Sequence, residues 1–166
     1  ILVGEIRDKE TADISINAAL TGHLVLSTLH TNDAAGSISR LQDMGVENFL
    51  IASSLVAVLS QRLVRRICIV CNGESQKESL DEDGDRTQAC KACGSTGYKG
   101  RLGVYELLII SEKVRHAIVT NQDNSAIAKI AISEGMEPIR DDGMKKVAAG
   151  KTTEEEVARV CMQSND

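Results

Sequence analysis

Residues 1–33 read ILVGEIRDKETADISINAALTGHLVLSTLHTND, and the fold turns on how this stretch divides. ILVGE (1–5) is a short apolar run ending in an acid. Such a run suits a buried strand of a parallel sheet that delivers a carboxylate to its C-terminal edge, where the ligands of α/β sheets gather. Thr11 to Leu20 reads as helix, and HLVLSTLH (23–30) as a second strand. A strand, a helix and a strand in this order make an α/β unit with a largely parallel sheet. The second strand is bracketed by His23 and His30, with Ser27, Thr28 and Thr31 supplying hydroxyls. Lone histidines are usually structural. A histidine at each edge of a strand, beside another strand ending in Glu5, puts a structural role and a site role on equal footing.

Working outward, Asp33 to Met44 and Asn48 to Val64 read as further helices, so residues 1–66 form the α/β region. The character changes over 67–100, where Cys68, Cys71, Cys90 and Cys93 enclose the polar stretch NGESQKESLDEDGDRTQA (72–89). That stretch holds too few apolar residues to build a core. The third region, 101–166, starts with the β-like LGVYELLII (102–110) and continues as helices that form a small subdomain. The last helix opens on TTEEEVARV (152–160), where Thr152 or Thr153 serves as cap, with a Glu three residues on and acidic charge at the positive end of the helix dipole.

Cys68-x-x-Cys71 and Cys90-x-x-Cys93 are two CxxC pairs with zinc-site spacing, and thiolates suit tetrahedral Zn²⁺. Two disulfides are the alternative, but these persist mainly in oxidising compartments. A closed shell of four sulfurs leaves no position for a water, so the expected site is structural, substituting metal bonds for the core this region lacks. Cys161 reads as a small apolar residue of the last helix. The run Asp81-Glu82-Asp83-Gly84-Asp85 resembles part of a Ca²⁺ loop but lacks the Glu and the remaining EF-hand pattern, and reads as a solvated loop. Gly150-Lys151-Thr152 matches the last triplet of G-x-x-x-x-G-K-[ST], but Lys145 occupies the place of the first glycine. A helix stop at Gly150 followed by a cap is the expectation there.

With 166 residues, 42% of them hydrophobic, the chain can bury one moderate core or two small ones. No apolar run approaches the ~18 residues needed to cross a bilayer, and the start has no signal-peptide pattern, so a cytoplasmic chain is expected. A net charge of -5 disfavours a grip on phosphates, and 2% aromatics offer no stacking platform, so nucleic acid is not an expected partner.

The motifs ILVGEIRDKETA (1–12), ALTGHLVLSTLHTND (19–33), RLQDMGV (40–46), QRLVRRIC (61–68), both CxxC pairs, GYKGRLGVYELL (97–108) and IRDDGMKKVAAGKTTEEEVARV (139–160) occur in one order across the chain. In that order they closely resemble the secretion ATPases of the type II secretion and type IV pilus assembly family. The resemblance implies the C-terminal part of a RecA-like ATPase core over 1–66, a tetracysteine zinc module over 67–100 and a helical C-terminal subdomain over 101–166. It also implies a homo-hexameric ring that uses ATP and Mg²⁺ to assemble pilin or pseudopilin subunits, held peripherally at the bacterial inner membrane by platform proteins. Residue by residue, Glu5 matches the acid of the family's Walker B motif. His23 and His30 match its His box, with His30 expected nearer the γ-phosphate. Arg101 matches an arginine that lies towards the nucleotide, an exposed turn residue being its bland alternative. Arg7 and Asp8 either orient the loop or touch ligand, and Arg62 and Arg65 suit interface or inter-subdomain pairing.

Retraction motors of the family usually lack the tetracysteine insert and carry an AIRNLI-like stretch near the end, neither of which holds here, so assembly or secretion is the expected branch. Members of that branch often have proline after the first Cys of a pair, whereas this chain has Ile69 and Lys91. No phosphate-binding loop lies in the chain, so by itself it is expected to be inactive. The rival reading is a zinc-stabilised module that docks other secretion components without an ATPase role, and a nucleic-acid zinc ribbon is a third.

Overall fold

The structure, a computed structural model, describes residues 1–74 and 90–162. The acidic run Asp81–Asp85, read as a solvated loop, lies outside these residues. The elements in order are α1 (Lys9–Leu20), α2 (Gly36–Asp43), α3 (Asn48–Ser54), β1 (Ala57–Ile67), β2 (Tyr98–Ile109), α4 (Glu112–Val119), α5 (Asn124–Ser133), α6 (Ile139–Ala148) and α7 (Glu154–Met162). Among the described residues they form two compact units, one from Ile1–Ser60 and Glu106–Pro138, the other from Gln61–Tyr105 and Ile139–Asp166. The three chain-ordered regions read from composition therefore cut the chain differently from its compact units, since α4 and α5 join the first unit and α6 and α7 the second.

In the first unit, α1 starts where the Asp8 carboxylate accepts the Thr11 N–H at 2.9 Å, satisfying a donor that the helix leaves orphaned. This bond lowers the Asp8 pKa. The helix ends before Gly22, whose φ of 93° turns the chain back towards the second apolar run. That run pairs in parallel with the first: Leu2 and Leu26 form a bridge. The Val3 N–H donates to the Leu26 carbonyl at 2.9 Å and the Ile6 N–H to the Thr28 carbonyl at 3.0 Å. The expected strand, helix, strand order is present, with α1 as the crossover. Ile38 of α2, Ile51 of α3, Leu108 of β2, Ile118 of α4 and Ile127 of α5 are fully buried in this unit's core.

Two expectations are corrected. Asn48 to Val64 is not one helix, because α3 stops at Ser54 and β1 begins at Ala57. In β1, Ala57, Leu59, Gln61 and Leu63 are each more exposed than Val58, Ser60, Arg62 and Val64. That period of two belongs to a strand, and a partner strand satisfies it. The sheet is also not largely parallel. The Ile110 N–H bonds the Val56 carbonyl at 3.0 Å and the Cys68 N–H bonds the Gly97 carbonyl at 2.8 Å, so β1 and β2 run antiparallel. The parallel pairing seen among the described residues is that of the two runs about the Leu2–Leu26 bridge.

The second unit packs Val64 and Val104 of the strands against Val157 and Val160 of α7, with Met144 and Val147 of α6 and Cys161 beside them. Gly143 lets α6 and α7 approach closely, since a Cβ there would lie 2.7 Å from a methyl of Val157. Helix α6 stops as expected, with Gly150 at a φ of 67°. Its N–H returns to the Val147 carbonyl at 2.9 Å, and the Lys151 N–H to the Lys146 carbonyl at 3.0 Å. Of the two candidate caps, Thr153 faces α7, its hydroxyl accepting the Glu156 N–H at 3.4 Å. Thr152 is buried and donates to the Arg65 carbonyl at 2.8 Å.

Candidate active site and metal centre

Glu5 lies just beyond the first parallel-paired run, and the second run ends at His30, so the pairing that joins the two brings their side chains together. Oε2 of Glu5 pairs with Arg7 Nε at 2.6 Å and stands 3.2 Å from His30 Nε2, which donates to it when protonated there. The hydrogen bond from Arg7 lowers the Glu5 pKa most, outweighing desolvation, and His30 adds to the effect. The carboxylate is therefore ionised at neutral pH. The segment between is fixed from inside: the Thr28 hydroxyl donates to the Gly4 carbonyl at 2.8 Å.

The other residues expected at the site separate. His23 stands just after α1, its Nδ1 3.2 Å from the Thr21 hydroxyl and 3.3 Å from the Ala18 carbonyl. Of the two histidines the structure joins only His30 to Glu5. Arg101 is on β2 in the second unit and exposed. Asp8 caps α1, whereas Arg7 pairs with Glu5. Arg65 pairs at 2.7 Å with Glu156 of α7, within the second unit.

Beyond His30 the chain turns into α2 through bonds that sequence reading did not anticipate. The Thr31 hydroxyl meets the Ser37 hydroxyl at 2.9 Å, and the Gly36 N–H donates to the Asp33 carboxylate at 2.6 Å. The Ala34 N–H donates to the carboxylate of Glu106 on β2 at 3.1 Å. Glu106 is buried. The one signal available was a carboxylate at an inward position of a strand, between Val104 and Leu108.

Cys68, Cys71, Cys90 and Cys93 bring their sulfurs within 4.8 Å of one another. Cys71 Sγ and Cys93 Sγ stand 3.7 Å apart. A tetrahedron with Zn–S bonds of ~2.3 Å has an edge of about 3.8 Å, so both donor set and spacing fit a zinc ion. Each CxxC is followed by two residues of positive φ, Asn72 (50°) and Gly73 (83°), then Gly94 (61°) and Ser95 (62°). These turns reverse the chain directly after each pair, with the Glu74 N–H returning to the Cys71 carbonyl at 2.8 Å and the Ser95 N–H to the Cys90 carbonyl at 3.2 Å. The Cys93 N–H favours the Cys90 thiolate, but burial and the thiols of Cys93 and Cys71 prevail and raise that pKa. At Cys93 burial opposes ionisation, yet the Gly97 N–H and the Cys90 thiol leave the pKa lowered.

A family model described as Type II/IV secretion system protein matches residues 1–159. The type II secretion system protein HxcR of Pseudomonas aeruginosa is 48% identical over 161 residues, covering 96% of this chain and 33% of that protein. The type IV pilus assembly ATPase PilB of Thermus thermophilus is 49% identical over 170 residues, covering 95% of this chain and 19% of that protein. The chain thus spans a third or less of these curated relatives. The crystal structure of the pilus retraction motor PilT with bound ADP matches with a TM-score of 0.69 and 26% identity over 96% of this chain and 38% of that one. The X-ray structure of the Legionella pneumophila ATPase DotB matches in fold, with a TM-score of 0.67 and 23% identity over 98% of this chain and 38% of that one. The architecture is that of an α/β ATPase domain carrying a four-cysteine cluster, and the chain belongs to the type II/IV secretion system protein family.

Proposed function

We propose that this chain is the C-terminal part of a hexameric motor that uses ATP hydrolysis to assemble a pseudopilus or pilus. The observation that carries the reading is the ionised Glu5 carboxylate held between Arg7 and His30 where two parallel-paired runs end. An ionised carboxylate fixed in this way can orient an attacking water. His30 adds a donor beside the reacting phosphate; His23, and Arg101 with a guanidinium able to bind phosphate oxygens in bidentate fashion, are the other residues proposed to bind nucleotide. Mg²⁺ bound with ATP supplies charge neutralisation on the phosphate oxygens. The RecA-like core, the chain-ordered parts 1–66, 67–100 and 101–166, docking to inner-membrane platform proteins from the cytoplasm and a structural zinc in the cysteine cluster belong to the same reading. The cysteine cluster favours the assembly or secretion branch over retraction.

The test is Mg²⁺-dependent ATP turnover by the full-length protein, with Glu5→Gln expected to lower kcat by ~10²-fold or more. Turnover unaffected by Glu5→Gln would overturn the role of Glu5. A full-length hexamer that binds zinc but turns over no ATP would favour the docking module. The 166-residue chain alone is expected to show no turnover, and activity in it that Glu5→Gln abolishes would refute that expectation.

A further inference from the structure

We infer that Glu106 is a positioning residue for the Glu5–His30 pair, an inference that rests on the ATPase reading of that pair. The alternation of β2 places position 106 inward between the fully buried Val104 and Leu108, where an apolar side chain would complete the pattern. A carboxylate there is only 8% exposed, and a buried carboxylate is unfavourable unless hydrogen bonds hold it.

What Glu106 holds is the turn that leads away from His30. Its Oε1 accepts the N–H of Ala34, which is itself fully buried and immediately precedes the N-cap Ala35 of α2. Ala35 has no side-chain oxygen with which to cap, and a negative charge at this end of a helix is favourable. The bonds of Thr31 and Asp33 are local to the turn. Thr31 reaches Asp33 and Ser37, and Asp33 reaches Gly36, so these bonds shape the turn from within. On the other side of His30, Thr28 is attached to the Glu5 strand through Gly4 and Ile6. His30 therefore sits between two anchors, Thr28 before it and, through Ala34, Glu106 after it. With the second anchor removed, the Ala34 N–H is left without its acceptor in the core and the turn can shift. A displacement of about 1 Å at a catalytic group can lower a rate ~10²-fold.

The test uses the full-length protein and Mg²⁺-ATP turnover in a double-mutant cycle with His30→Ala. Glu106→Ala is expected to lower kcat about tenfold or more with KM changed less than about threefold. Glu106→Gln, whose amide oxygen still accepts the Ala34 N–H, is expected to stay within about threefold of wild type. In the His30→Ala background, Glu106→Ala is expected to add less than about a twofold loss, because both substitutions disable the same group. A wild-type kcat in Glu106→Ala, or losses that multiply in the double variant, would overturn the inference. If Glu106→Ala does not fold, Glu106→Asp withdraws the oxygen by one methylene and carries the same cycle with the same expected non-additivity. A wild-type protein without ATP turnover sinks the ATPase reading and this inference together, whereas an active wild type with multiplicative losses sinks only the role of Glu106.

Discussion

Glu156, the carboxylate most tightly held by arginines among the described residues, has a side chain 2% exposed, 2.7 Å from Arg65 and 2.9 Å from Arg159. It also accepts the Arg65 backbone N–H at 2.9 Å, and the Arg65 guanidinium in turn lies 4.2 Å above the Tyr98 ring. The hydrogen bond from Arg159, with those from Arg65, brings the Glu156 pKa from 4.5 to about 2 despite burial. A carboxylate whose folded pKa is depressed contributes stability that is full above its unfolded value and is lost as the pH falls through the folded one. The second unit is therefore expected to lose about 2–3 kcal/mol of stability between pH 5 and 2 through this group alone. Glu156→Gln should lower stability at pH 7 and flatten that part of the profile, as denaturant titrations at several pH values would show. An unchanged acid limb in the variant would mean that another group carries it. Arg65 was recognisable from sequence as a pairing residue, but its partner lies 91 positions away, and a glutamate in a helix's first turn reads as a solvated dipole charge. Glu106 escaped for the same reason: its hydrogen-bond partner is 72 positions distant. Glu5 and His30 were legible because each ends an apolar run, so their meeting follows from strand pairing.

At the scale of elements, helix propensity and packing make opposite predictions for Gly143. Alanine in an exposed helix interior is favoured over glycine by ~1 kcal/mol. Here the added methyl would lie 2.7 Å and 3.1 Å from the two methyls of Val157. Packing decides, because α6 and α7 must separate or Val157 must leave its rotamer, and overpacking of this kind costs about 1–3 kcal/mol. Gly143→Ala should thus lower the melting temperature, and Val157→Ala in the same chain should recover part of the loss. A Gly143→Ala protein as stable as wild type would show that the contact yields easily. The element mistaken from sequence, β1, shows the limit of pattern reading. Asn48 to Val64 holds apolar residues at spacings that suit a helix, and only the inward and outward alternation against β2, which begins at Tyr98, settles it as half helix and half strand. The helix ends, in contrast, were written locally: Asp8, Thr153 and Gly150 act where their residue types point.

For the whole molecule, the zinc reading makes a prediction that separates the two units. All five cysteines lie in the second unit, as do both tyrosines, Tyr98 and Tyr105. Tyrosine fluorescence therefore reports that unit by itself, while circular dichroism reports helices of both. Protein purified without chelator should carry about one zinc per chain, and clearly less than half an equivalent with four free thiols would argue against the site. Adding a chelator should lower the tyrosine transition further than the helical one, because Cys68 follows β1 directly and its N–H bonds the carbonyl of Gly97, the residue before β2. Equal shifts by both probes would show that the cluster does not stabilise the second unit selectively.

Because the first unit takes 1–60 and 106–138, it closes late as the chain is made. On a ribosome, Ile38 and Ile51 emerge well before Leu108, Ile118 and Ile127, the side chains that will cover them. At ~5–20 residues per second that interval lasts on the order of ten seconds. During it a nascent α/β surface stands open in the cell, a target for whatever chaperone waits at the exit tunnel.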